Sequence, residues 1–73
     1  MNENNFYKYL GKRIKFLREN KNLTQENMAE KSGLSLDYIG KIEVNINRPG
    51  LRALLKIAKA LNVDIKELFE FNK

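Results

Sequence analysis

The residues of this 73-residue sequence best equipped for chemistry are its 14 lysines and arginines, and the chemistry open to them is neutralising a polyanion. Nine aspartates and glutamates leave a formal charge of +5 and a pI near 9.6. An excess of this size on a small chain points to nucleic acid or to an anionic membrane surface. Other chemistries lack their groups. Without cysteine or histidine there is no thiol nucleophile, no imidazole base, no Ser-His-Asp arrangement and no Cys- or His-ligated metal. Glu26 and Glu30 stand four apart on one helical face, but a catalytic pair needs a cleft or a metal site around it. Gly11-Lys12 lacks the rest of a phosphate loop. An enzyme is therefore not expected, and neither a cofactor nor a small-molecule ligand is.

Elements must hold the basic residues in place, and so short a chain has few ways to build them. A domain of this size buries only about 60% of its unfolded surface. No disulfide can add to that, so helix packing or oligomerisation must supply the stability. The apolar spacing is helical throughout. Phe6, Leu10, Ile14 and Leu17 form one stripe, with Lys8, Lys12, Arg13, Lys15 and Arg18 around it, and Asn20-Lys21-Asn22 ends that helix. Thr24 caps a helix from Gln25 to Lys31, which turns Met28 and Ala29 inward and stops at Gly33. Ser35 caps a third, Leu36 to Glu43, with Ile39 and Ile42 inward and Asn45 as a left-handed stop. The polar stretch around Pro49 reads as a loop. A fourth helix spans Leu51 to Leu61, and Asn62 ends it. Asp64 and Glu67 predict a capping box for a short fifth, with Ile65, Leu68 and Phe69 inward. No segment alternates with period two. The expectation is an all-α, five-helix single domain over residues 1–73, with its core at about 6–70.

The span Gln25 to Val44 reads as helix, glycine-containing turn, helix. Two helices crossing through a short turn need a small residue at the close approach, a residue free to take positive φ in the turn, and apolar residues facing back. Ala29, Gly33, Ile39 and Ile42 meet these needs at the required offsets, and Leu34 can plug the gap between the helices. With Leu23-Thr24-Gln25, Met28-Ala29, Ile39-Gly40-Lys41-Ile42-Glu43, Arg48-Pro49 and Leu54 to Leu61, the chain resembles the Cro/repressor-type (XRE-like) helix-turn-helix family from about Leu10 to Phe69.

That resemblance implies a lambda-repressor-like fold and a regulator that binds specific double-stranded DNA. It implies that the third helix enters the major groove, N-terminal residues foremost. Ser35, Leu36, Asp37, Tyr38 and Lys41 then face the bases, Lys41 able to donate to guanine and Leu36 to touch a thymine methyl. Gln25, Asn45, Asn47 and Arg48 fall at positions expected to contact phosphates. Arg18 and Glu43 match an ion pair bridging the first helix to the third. In this sequence Leu36 and Asp37 replace polar donors, Gly40 lies inside the third helix, Asn45 stands where glycine is usual, and Ser32 takes a commonly apolar position.

One short recognition helix reads few base pairs, so a homodimer on a palindrome is expected. Ile46, Leu51, Leu55, Phe69 and Phe71 form the expected dimer patch, because Phe71 would otherwise be an exposed aromatic near the C-terminus. The Tyr38-Ile39-Gly40 segment somewhat resembles the restriction-modification controllers of the family, beside which phage-type repressors and antitoxins stand. An antitoxin-like module whose main partner is another protein is the alternative; an RNA or non-specific nucleic-acid binder is a third possibility. No stretch has the apolar length of a membrane span, and the polar residues Met1 to Asn5 do not lead into a signal sequence, so a cytoplasmic location without membrane association is expected.

Overall fold

A computed structural model describes residues 1–71. Its order is α1 (Glu3–Asn20), α2 (Gln25–Ser32), α3 (Leu36–Glu43), α4 (Leu51–Leu61) and a 3-10 turn (Ile65–Phe69), with no strand among the described residues. The boundaries follow from local chemistry. The Asn2 side chain accepts from the Asn5 amide at 2.8 Å, so α1 opens ahead of Phe6, with Glu3 beside its positive end. Thr24 and Asn27 form a reciprocal capping box at 3.0 and 3.1 Å, and the Ser35 hydroxyl accepts from the Tyr38 amide at 3.0 Å. The chain reverses at Asn22, Gly33, Asn45 and Asn62, all at left-handed φ between 58° and 75°. Asn is the side chain that tolerates this conformation best after Gly.

The expected fifth helix is instead a single 3-10 turn. Glu67 does accept from the Asp64 amide, at 3.1 Å, but the backbone bond is i to i+3, from Glu67 N to Asp64 O at 2.9 Å. Ile65 and Leu68, three apart, share a side in 3-10 geometry, and Leu68 is fully buried. That geometry turns Phe69 partly outward, 38% exposed, where an inward ring was expected.

The core comprises Leu10, Ile14 and Leu17 of α1, Met28 of α2, Ile39 and Ile42 of α3, Leu54, Ile57, Ala58 and Leu61 of α4, and Leu68. Phe6, the first residue of the expected α1 stripe, is only half-buried. Ser32 is buried at the usually apolar position because its hydroxyl donates to Ala29 O (3.3 Å) and accepts from Leu34 N (3.2 Å), closing the turn into α3. Gly11 brings α1 against the end of α3: a Cβ there would collide with the Ile42 carbonyl oxygen and lie 3.1 Å from that of Glu43. Nothing in the local sequence marks this glycine; its reason lies across the core.

Candidate nucleic-acid interface

The inner face of α3 is fixed by Ile39 and Ile42, each 1% exposed, so the residues on its opposite side face out. Ser35, Leu36 and Asp37 are exposed and Lys41 is half-exposed, one helical turn on. The Ser35 hydroxyl already accepts as the helix cap and keeps its O–H to donate. Asp37 and Lys41 pair at 3.0 Å, so the Lys41 ammonium is steered by the carboxylate four residues before it. An exposed i,i+4 pair is worth under about 1 kcal/mol and yields readily to a stronger partner. Tyr38 is half-buried: its ring body packs against the core beside Leu34.

The pair Arg18–Glu43 is the anchor of this helix. The Arg18 Nε donates to Glu43 Oε2 at 2.7 Å and Nη2 to Oε1 at 3.0 Å, a bidentate pair with the Glu43 side chain only 1% exposed. Arg18 Nη1 donates to Leu23 O at 2.7 Å, and Gln25 Nε2 donates to Glu43 Oε1 at 3.0 Å. The hydrogen bond to Glu43 raises the Arg18 pKa above its ordinary value against the opposing effect of burial, so the guanidinium stays charged. One carboxylate thus ties α1, the start of α2 and the end of α3 together. Gln25, expected at a phosphate-contact position, is half-buried with its amide beside Gly40, and one of its two amide hydrogens is committed to Glu43. Gly40 leaves room for that amide, and a Cβ there would meet it at an ordinary 3.5 Å.

The loop after α3 is pinned to α1. Arg48 donates to Glu3 Oε2 at 2.6 Å and lies 4.9 Å over the Tyr7 ring, and Asn45 Nδ2 reaches Asn4 Oδ1 at 3.4 Å. The Asn47 amide donates to Lys41 O at 3.1 Å, extending the end of α3. Glu3 and Tyr7 were not singled out in the sequence; their acid and aromatic types match Arg48, but only the fold brings them together.

The expected dimer residues divide. Ile46, Leu51 and Leu55 are 66%, 66% and 52% exposed, and Leu51 and Leu55 lie one turn apart on α4. Phe69 and Phe71 instead belong to an aromatic cluster on the first half of α1. Phe69 stacks on Phe6 at 6.1 Å, and Phe71 lies 5.7 Å from Phe6 and 6.0 Å from Tyr9. Phe71 is therefore half-buried by its own chain, not the exposed ring expected. No group of three or more His, Cys, Asp or Glu that could hold a metal occurs among the described residues, and no helix there is long and apolar enough to cross a membrane.

Comparison with known proteins places this geometry. A helix-turn-helix family model matches residues 14–68. The control protein C.SmaI of Serratia marcescens is 39% identical over 59 residues, covering 81% of this chain and 70% of that one. The immunity repressor of Bacillus phage phi105 is 37% identical over 59 residues, and the match covers 81% of this chain but 41% of the repressor; likewise, 43% of the regulator y4wC of Sinorhizobium fredii is spanned. The crystal structure of the restriction-modification controller C.AhdI from Aeromonas hydrophila superposes with a TM-score of 0.85 at 38% identity, covering 86% of this chain and 96% of that one. With the matched model spanning most of its length, the chain belongs to the Cro/repressor-type (XRE-like) helix-turn-helix family of DNA-binding transcriptional regulators.

Proposed function

We propose that the chain acts as a homodimer on a palindromic operator, with α3 of each protomer in the major groove. The observation that carries this reading is the outward face of α3: Ser35, Leu36, Asp37 and Lys41 are presented on a helix whose other side is locked into the core and whose end is held by a buried ion pair. Lys41 donates to guanine O6 and N7, and Leu36 packs on a thymine methyl. Asp37 accepts from cytosine N4 or keeps Lys41 aimed, and its charge repels phosphates from a wrongly seated helix. Tyr38 adds its polar tip. Gln25, through its second amide hydrogen, and Asn45, Asn47 and Arg48 at the other end of α3 contact phosphates and set the register. Two domains, each at most 32 Å long, sit comfortably on half-sites about 34–36 Å apart. The exposed Ile46, Leu51 and Leu55 are the apolar surface available to join them, and the less exposed Phe69 and Phe71 are the other residues assigned to the interface. Relatives named as a control protein and a repressor favour this over the antitoxin-like alternative.

The test selects binding sites from random duplex DNA and measures affinity for the winner and for a scrambled duplex. A two-fold-symmetric winner is expected. Lys41→Ala should cost about 1–3 kcal/mol on the winner and little on the scrambled duplex, whereas Gln25→Ala should weaken both alike. Equal affinity for every duplex would overturn the reading.

A further inference from the structure

The ion pairs among the described residues are of two kinds. In those of Arg13 and Arg18 the cation is shielded, its side chain at most 20% exposed. In the other two an exposed cation meets a carboxylate that is 75% exposed: Lys41 with Asp37 at 3.0 Å and Arg48 with Glu3 at 2.6 Å. Both of these cations are among the residues proposed to contact DNA. Asp37 is a neighbour of Lys41 on its own helix, whereas Glu3 reaches Arg48 across 45 positions of sequence. The Asn2 cap, which opens α1 at Glu3, sets that carboxylate in place. Tyr7 follows four residues later, so it lies on the same side of α1, and the Arg48 guanidinium carbon sits 4.9 Å from its ring centre. From the same turn Asn4 accepts from Asn45, another residue of the phosphate-contacting loop, at 3.4 Å.

Arg48 is thus held by two different forces. The ring face attracts the guanidinium and fixes its plane without using any N–H. The Glu3 carboxylate takes one of the five N–H donors, as a phosphate oxygen would. So exposed a carboxylate returns to water readily, and an exposed pair is weak. Left in place beside a phosphate, it would repel it.

We propose that Glu3 and Tyr7 are positioning residues for Arg48: Tyr7 holds the guanidinium plane ready for DNA, and Glu3 stands in for the phosphate that displaces it on binding. The proposal rests on the reading of α3 and the loop after it as the DNA-facing surface. Arg48 is a rotamer-rich side chain, and the Tyr7 ring orders it before DNA arrives, which lowers the cost of ordering it on binding. Glu3 acts in the opposite sense and weakens binding to every duplex alike.

The test measures the affinity of the full chain for the selected and the scrambled duplex, with thermal midpoints, in wild type, E3Q, Y7F, Y7L, R48Q, E3Q/R48Q, Y7L/R48Q and K41A. E3Q should bind both duplexes about two- to fivefold more tightly, the range of an exposed pair. Y7L should bind both several-fold more weakly, and Y7F, which keeps the ring face, should bind like wild type. In the R48Q background each effect on log affinity should shrink by more than half. A smaller shrinkage would show that Glu3 and Tyr7 act on DNA without Arg48, and it would overturn the proposal, as would an E3Q that binds no more tightly than wild type. Should the midpoint show Y7L unfolded, E3Q and E3Q/R48Q carry the test. Unchanged binding by R48Q beside lost discrimination in K41A would overturn the role of Arg48, and of its two partners, while leaving α3 in the groove. A wild type that binds no duplex would overturn the reading of α3 and this proposal with it.

Discussion

Glu43→Ala is expected to destabilise the protein by about 3–5 kcal/mol, the range for removing one partner of a buried ion pair. The Glu43 carboxylate accepts three of the hydrogen bonds that organise this fold, from Arg18 Nε, Arg18 Nη2 and Gln25 Nε2 at 2.7, 3.0 and 3.0 Å. Its loss leaves a charged guanidinium, 8% exposed, with the Leu23 carbonyl as its one remaining hydrogen bond and the exposed Glu19 carboxylate 4.0 Å away. A domain of this size has a stability near the lower end of about 5–15 kcal/mol, so the variant should be substantially unfolded at 37 °C. Urea denaturation followed by circular dichroism measures the effect. The double variant Arg18→Met/Glu43→Leu should recover most of it, because replacing both members of a buried pair by apolar side chains is often neutral. It should still bind DNA less well than wild type, since Gln25 loses the acceptor that orients it. A single-variant cost below about 1 kcal/mol would show that the pair is not holding α3.

Gly11→Ala is expected to destabilise by about 1–3 kcal/mol, the usual cost of forcing extra volume into a packed contact. By helix propensity alone the same change should stabilise by up to about 1 kcal/mol, so the sign separates local from tertiary control. The new methyl would collide with the Ile42 carbonyl oxygen and press on that of Glu43, backbone atoms that move only if α3 moves. Displacing α3 from α1 also stretches the Arg18–Glu43 pair, so G11A and E43A should be less than additive in a double-variant cycle. Gly40→Ala is the internal control. Its methyl meets only the Gln25 amide at an ordinary distance, and it should be neutral or stabilising. The urea midpoint should therefore fall in G11A and stay or rise in G40A.

Much of the fold was legible because its signals are local. Thr24 and Ser35 declare where α2 and α3 begin, Gly33, Asn45 and Asn62 declare where the chain reverses, and the apolar spacing of Leu36 to Glu43 and Leu51 to Leu61 marks both helices at their observed ends. The Arg18–Glu43 pair, separated by 25 residues, was legible only through the family pattern. Features decided by tertiary geometry were not. Gly11 looks like an indifferent helical glycine until α3 is laid against it. The segment after Asp64 has an α-helical cap, yet with five residues and Leu68 drawn into the core it closes as a 3-10 turn. Phe71 was expected to be bare and is covered by Phe6 and Tyr9, whose side of α1 the sequence does not connect to the C-terminus.

The exposed half of α3 is the surface proposed to meet duplex DNA, and it is tested most directly by a map of backbone amide chemical shifts during titration with the selected duplex. The largest changes should fall on Ser35 to Lys41 and on Gln25, with a second group at Asn45 to Arg48. Changes confined to α4 or to the first turns of α1, with Ser35 to Lys41 unmoved, would contradict it.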